Sequence, residues 1–423
     1  MVNVVKRQWI WIVILVFVVL NQGLGQIKGL DLLGTKKKVT IPFTLEQGFI
    51  VVKLYVEYTF PMRFIFDTGA EHTVIFNKMY GDMLNFDYER KVPIVGSDLA
   101  AEMYAHIVRN ITIELAGADM VSRDILVLDK DYLKIFESTG ILVDGILGGE
   151  FFRSLVVEID YKRSRLVLYH PENFPVPSKS KYDAVPLTIR NNKPYVSTEV
   201  ASLGDTVTLN FLIDTGASLT FLIHTNTHPA LHLPEVIIPG HIGYGLGGSV
   251  VGYLGMMDFI AFGPYEFETV LASFQDIGGA ALSEHEYFRH GIIGSLTIAR
   301  FHSYIDYYRS IWYLNPVGKY NQTFDYDKSG LTIYAFGHGM TNYFVRNVLN
   351  NSPAREIGLE EGDIIIKFQG KKKEKLSIPY INKTLKRKEG KKINMVIERN
   401  GEEMSFTFRL VDMLKEAKAK QKP

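Results

Sequence analysis

The sequence predicts a mainly β protein built as two similar lobes, followed by a small α+β domain. Three observations predict it. The middle of the chain repeats itself: FIFDTGAEHTVIF from Phe64 to Phe76 returns as FLIDTGASLTFLI from Phe211 to Ile223. Short β-branched and aromatic runs such as VTIPFTL, FIVVKLYVEY and RLVLYH are broken by turn residues, the pattern of sandwiches and barrels. Beyond Asn315 to Asp327 the composition shifts, with 21 Lys+Arg against 13 Asp+Glu from Lys319 to Pro423.

The repeat is the strongest of the three. Each DTGA block is followed by a second shared block, DGILGGEFF from Asp144 and HGIIGSLTI from His290. Asp67 to Gly145 spans 78 residues and Asp214 to Gly291 spans 77. Two different blocks at near-equal offsets imply two homologous lobes, placed at 39–175 and 180–316. The domain after them is placed at 325–412 and a polar tail at 413–423. One short helix is expected at 281–290, ALSEHEYFRH.

The bulk composition excludes several classes. With 423 residues the chain exceeds one average domain. It is 47% hydrophobic and 22% charged, ordinary for a globular chain and unlike a disordered one. A net charge of +1 offers no global attraction to nucleic acid. No cysteine is present, so thiol catalysis, disulfides and Cys-ligated metals are excluded.

Residues 1–25 have the form of a secretory signal peptide. Lys6 and Arg7 precede the apolar run Trp9 to Leu20, and Gly23 and Gly25 stand before a cut at Gln26. The run is short for a spanning helix, which needs about 20 residues; an uncleaved N-terminal anchor is the alternative. Both place the body outside the cytoplasm. An exported chain without cysteine fits a bacterial periplasm or cell surface, with no stable membrane span once the leader is removed.

Each DTGA follows three apolar residues, so Asp67 and Asp214 end buried strands. A buried carboxylate needs hydrogen bonds or a shared proton. Thr68 and Thr215 supply short hydroxyls, and Gly69 and Gly216 allow a tight turn with backbone N–H groups near the carboxylate. Two copies in two lobes bring the carboxyls together across a pseudo-twofold axis. Two such groups share one proton and so perform acid and base work together.

At these residues the sequence resembles the aspartic proteases, over roughly Val39 to Asn315. The resemblance rests on Asp67-Thr68-Gly69-Ala70, Asp214-Thr215-Gly216-Ala217, Ile146-Leu147-Gly148 and Ile292-Ile293-Gly294. It implies two closed β-barrel-like lobes and peptide hydrolysis by a water held between Asp67 and Asp214, with no cofactor and no metal. Both motifs carry Ala after DTG, as in retroviral-type members, where pepsin-like members carry Ser or Thr. Ala donates no side-chain hydrogen bond to the carboxylate, so the expected optimum is less acidic than pepsin's. Glu71 stands where retroviral enzymes keep an Asp that touches substrate backbone, and Ser218 is read as its counterpart. Flap candidates are Gly96-Ser97-Asp98 and the segment Gly243 to Gly248 around Gly245, 29 and 31 residues after their aspartates (Gly96 and Gly245); Gly-rich tips suit a lid over substrate. No Lys-Ser/Thr follows the second, which argues against a phosphate loop. His224, His228 and His232 have metal-like spacing, but Pro229 interrupts a helix there, and a polar loop is the plainer reading.

Residues 330–410 resemble a PDZ domain of the bacterial protease type. Ser352-Pro353-Ala354 opens a short helix that stops at Gly358, Glu361-Gly362-Asp363 turns into Ile364-Ile365-Ile366, and Asn400-Gly401 closes a hairpin. The resemblance implies capture of a peptide as an added strand. The nearest text to the carboxylate-binding loop is Phe336-Gly337-His338-Gly339-Met340. The sequence thus reads as an exported aspartic endopeptidase whose PDZ domain recruits a substrate or partner. The alternative is a non-catalytic peptide-binding protein using the same cleft. Two lobes in one chain remove any need for a dimer at the active site.

Overall fold

The computed structural model describes residues 33–95, 102–202, 204–245, 248–277 and 289–420. The expected leader, the first flap tip at Gly96 to Asp98 and most of the helix expected at 281–290 lie outside these residues. No described helix is long and apolar enough to cross a membrane.

Lobe 1 comprises β1 (Lys38–Glu46), β2 (Phe49–Val56), β3 (Phe60–Phe66), β4 (Val74–Ile75), β5 (Tyr88–Val95), β6 (Glu102–Leu115), β7 (Val121–Leu128), β8 (Gly145–Leu147), β9 (Val156–Asp160) and β10 (Arg165–Tyr169). Lobe 2 repeats the series as β11 (Asp183–Arg190), β12 (Lys193–Ser202), β13 (Asp205–Asp214), β14 (Phe221–His224), β15 (Ile237–Gly245), β16 (Gly248–Phe262), β17 (Tyr265–Gln275), β18 (Gly291–Gly294), β19 (Phe301–Asp306) and β20 (Ile311–Pro316). The pairings repeat with the strands. β3 runs parallel to β8, as β13 does to β18. β4 lies antiparallel to β8 and parallel to β7, as β14 does to β18 and β17. The two shared sequence blocks are therefore hydrogen-bonded neighbours within each lobe.

Alternation sets the register. In β1 Val39, Ile41 and Phe43 are buried while Thr40, Pro42 and Thr44 face out, so a one-residue slip would expose the whole set. The lobes join through one antiparallel sheet, ordered β1–β10–β9–β19–β20–β11. Its central strand β9 is buried throughout, and its acids are paired accordingly. Tyr169 donates to Glu158 at 2.6 Å, and Arg163 and Arg165 hold Asp160 at 3.1 and 3.2 Å. Asp306 and Arg309 repeat the Asp160–Arg163 turn in lobe 2, at 2.9 Å.

The C-terminal domain has the sheet order β21 (Leu331–Phe336), β22 (Asn342–Val348), β23 (Ile364–Phe368), β25 (Lys392–Arg399), β26 (Glu402–Arg409), with the two-residue β24 (Lys371–Lys372) on β23. A short helix at Pro353–Glu356 is capped by Ser352 and ended by Gly358 at φ 84°. Asn400 and Gly401, at φ 55° and 84°, form the closing turn. Phe336 ends β21 and His338–Met340 forms a 3-10 turn between β21 and β22, not the approach to the edge strand. That approach is Asp327 to Gly330, whose amides are already used: Asp327 accepts from the Ser329 and Gly330 N–H groups at 2.9 and 2.8 Å.

The final segment differs from the expected polar tail. Met413–Lys420 is a helix whose first two residues, Met413 and Leu414, are buried beside Leu271 and Tyr326. The Tyr326 hydroxyl donates to Asp412 at 2.6 Å and accepts from the Leu414 N–H at 3.1 Å. Two apolar residues at the helix start outweigh the polarity of those that follow.

Candidate active site

Asp67 directly follows β3 and Asp214 ends β13, both at the junction of the lobes. The turns that carry them are locked by their threonines. Thr68 Oγ1 donates to the Ile213 carbonyl at 2.7 Å and accepts from the Thr215 N–H at 3.1 Å. Thr215 Oγ1 donates to the Phe66 carbonyl at 2.8 Å and accepts from the Thr68 N–H at 3.1 Å. Each hydroxyl thus satisfies the backbone of the opposite lobe, where both threonines are fully buried.

The glycines have a sharper role than a tight turn. A methyl added at Gly216 would lie 2.2 Å from Asp67 Cγ, and one at Gly69 would lie 2.4 Å from Asp214 Cγ. Each glycine is small because the other lobe's carboxylate rests on it. Each also donates to its own aspartate: Gly69 N–H to Asp67 Oδ1 at 2.7 Å, Gly216 N–H to Asp214 Oδ1 at 2.8 Å. Ala70 N–H adds a third bond, to Asp67 Oδ1 at 3.1 Å.

Burial and the charge of Asp214 hold the Asp67 carboxyl well above the usual carboxylate range, and burial also raises Asp214. The Arg289 guanidinium and backbone N–H groups pull Asp214 back. One proton is therefore retained between the two groups beyond the pH at which a free carboxyl ionises, and the dyad titrates as a unit.

A cavity of about 290 Å³ opens over the dyad. Apolar residues line most of it, with few polar groups, as in small-molecule and peptide sites. Glu71 lies on its wall with His72, which is bound to Glu150 at 2.6 Å. The expected counterpart of Glu71 needs correction. Glu150 N–H donates to Glu71 O, whereas Leu296 N–H donates to Leu219 O, both at 3.2 Å. Leu219 is therefore the structural equivalent, and Ser218 is an extra residue that donates to the Gln47 carbonyl. The second flap candidate is a hairpin: Gly245 ends β15 and pairs with Gly248 of β16. In lobe 1 β5 and β6 form the matching hairpin, with Val95 opposite Glu102.

The histidine spacing does not converge on a metal. His224 ends β14, while His228 lies in the loop after it. The described residues offer one cluster with ligand spacing, Glu158, Asp160 and His302, and those acids are already held by Tyr169, Arg163 and Arg165.

Two cleft residues escape the sequence reading, Lys193 and Arg289. Lys193 follows the turn Asn191-Asn192, and burial holds its ammonium below the usual lysine range. Arg289 stands two residues before Gly291, where lobe 1 has Val143 before Gly145. Aligning the lobes beyond the two shared blocks reveals that exchange.

Residues 52–151 and 199–296 both match the family model of aspartyl proteases, and residues 327–410 match that of the PDZ domain. Among curated proteins none matches the chain.

Proposed function

Because the two lobes belong to the aspartyl protease family and a PDZ domain follows them, we propose that the protein is an exported aspartic endopeptidase. The single observation that carries the catalytic part is the dyad. Two buried carboxyls each rest against the opposite glycine, and their common proton is retained by burial and mutual repulsion. A water bridging them loses a proton to the ionised carboxylate of the pair while the protonated partner donates a hydrogen bond to the substrate carbonyl. Attack gives a tetrahedral diol. The proton then passes to the leaving amine, and the shared-proton dyad is restored. Export rests on the leader pattern of residues 1–25, and a periplasmic or cell-surface location on that pattern and the absence of cysteine.

A PDZ domain takes a peptide as an added strand; here the edge strand β21 lies against the lobe 1 helix Ile135–Thr139, so a peptide adding to that edge competes with it. With the Ser329 and Gly330 N–H groups held by Asp327, a C-terminal carboxylate finds no free amides there. That favours internal peptide segments over chain ends as ligands.

The test is cleavage of a mixed peptide pool from about pH 3 to 8 by the protein and by its Asp67→Asn variant, with new termini read by mass spectrometry. Cleavage by the parent alone supports the assignment. Equal cleavage by both refutes the role of Asp67, and peptide binding without new termini at any pH favours a non-catalytic peptide-binding protein. An activity maximum below about pH 3, near the lower pepsin-type value, contradicts the raised dyad.

A further inference from the structure

The C-terminal domain is fixed against both lobes. Its edge strand β21 lies on the lobe 1 helix Ile135–Thr139, and its residues Met413 and Leu414, with Tyr326, pack on Leu271 of lobe 2. Where it meets lobe 2 the fit is incomplete, and a second cavity of about 230 Å³ remains between them. The lobe 2 side is the turn 218–220 with Ile238 and Gly240 of β15; the other side is Leu331, Thr332 and Leu349. The two sides come close at Gly240, where an added methyl carbon would lie 3.4 Å from Leu349 Cδ2.

Two features tie this cavity to the cleft. The first is position. Ser218, Leu219 and Ile242 line both this cavity and the one over the dyad, so a chain running over the Ser218-Leu219 turn passes from one into the other. Ser218 is the residue that lobe 2 carries in excess of lobe 1, so this exit has no copy in lobe 1. The second is chemistry. Ser218 donates to the Gln47 carbonyl, Thr220 to the Leu271 carbonyl at 2.6 Å, and Asp327 accepts from the Ser329 and Gly330 N–H groups. Its two exposed charges, Asp325 and Lys386, have opposite signs. The rest of the lining is mainly apolar, with Leu219, Ile238, Leu254, Leu296, Leu331 and Leu349. Such a lining selects an apolar side chain.

Resting on the protease reading, we infer that this cavity is a further substrate subsite, built jointly by lobe 2 and the C-terminal domain, which takes an apolar side chain of the same polypeptide away from the scissile bond. The C-terminal domain thereby lengthens the cleft. The substrate class is extended polypeptide segments with an apolar residue beyond those that fill the cavity over the dyad, in preference to short peptides.

The test extends a short peptide that the protein cuts, one residue at a time and on either side, with Leu or Asp as the terminal addition. The kcat/KM should rise on the order of tenfold when Leu reaches the second cavity, on one side only, and Asp there should give no gain. Thr332→Trp fills the space from a half-buried strand position. It should abolish the gain and leave hydrolysis of the short peptide unchanged; Leu349→Ala, which only removes apolar surface, should reduce the gain. No gain with Leu on either side, an equal gain with Asp, or a gain unaltered in both variants overturns the inference while the protease assignment stands. If no peptide is cut, the protease assignment falls, and fluorescence anisotropy with the same labelled series decides the subsite. Tighter binding of the Leu-extended peptides, lost in Thr332→Trp, upholds it, and equal binding of short and extended peptides overturns it.

Discussion

Lobe 1 and lobe 2 share strand order, pairing and the turn that carries the aspartate, yet differ in what they show the cleft. The shared part is where one lobe touches the other: threonine hydroxyls bonded across the axis and glycines beneath the opposite carboxylate. The divergent part lines the cavity, where lobe 1 brings Phe49 and Glu71 and lobe 2 brings Lys193, Gln275 and Arg289. Groups that must fit the partner lobe hold both copies to one solution. Groups that line the cavity are under no such constraint and have parted.

The largest effect should come from the most symmetric residues. Gly69→Ala and Gly216→Ala each drive a methyl into a carboxylate, at 2.4 and 2.2 Å. Peptide hydrolysis should fall at least about 100-fold in both, since displacements near 1 Å already cost that much. Kinetics on a single reporter peptide check it. A large loss in one variant only would break the equivalence of the two turns.

The threonines come next. Thr68→Val strips partners from the Ile213 carbonyl and the Thr215 N–H, and Thr215→Val does the same to Phe66 and Thr68. Two buried groups left unsatisfied cost roughly 2–4 kcal/mol in each variant. Urea unfolding of both should show equal losses. Unequal losses would mean that one lobe depends on the axis more than the other.

Much of this comparison was legible in the sequence, and what was hidden has physical reasons. The DTGA and apolar-apolar-Gly blocks stood out because strand burial and close approach permit few residues there. Asn400-Gly401 and Ser352-Pro353 were equally plain, since turns and caps act through local backbone. Lys193 was invisible because nothing near it in sequence marks a cleft; a hairpin tip reaching to the other lobe puts it there. The register at Ser218 was hidden for a related reason. One extra residue bulges toward Gln47, and only the bond from Leu296 to Leu219 reveals which residue matches Glu71. The helix at Met413–Lys420 is anchored by Tyr326 and Leu271, contacts that a tail composition does not announce.

Stability against pH sharpens the same comparison at the dyad. Asp67 titrates well above its ordinary value in the fold, so the native state binds more protons than the unfolded chain above about pH 4. Stability should therefore fall as pH rises from there through the raised value. Asp67→Asn reduces that slope to what the burial of Asp214 alone sustains. Thermal melts of parent and variant across pH 4 to 8 should diverge, with the variant the more stable at the neutral end. Parallel curves would place the raised titration elsewhere.

The smallest effect concerns a place where lobe 2 departs from lobe 1 without any ligand in view. Phe76 and His224 occupy one position: their N–H groups donate to Asp144 and His290 carbonyls at 2.9 and 3.0 Å. His224 is 1% exposed, neither ring nitrogen has a partner among the described residues, and burial holds its imidazole well below the usual histidine range. A depressed base means that the unfolded chain binds the extra proton, so stability is lost as pH falls below about 6.5. His224→Phe copies the lobe 1 solution. It should stabilise the protein, by up to about 2 kcal/mol more at pH 5 than at pH 8 if the buried ring stays neutral throughout. The larger ring has to fit, and overpacking would subtract from both values equally. The difference between the two pH values is therefore the diagnostic quantity. A pH-independent change would show that His224 already holds its proton in the fold.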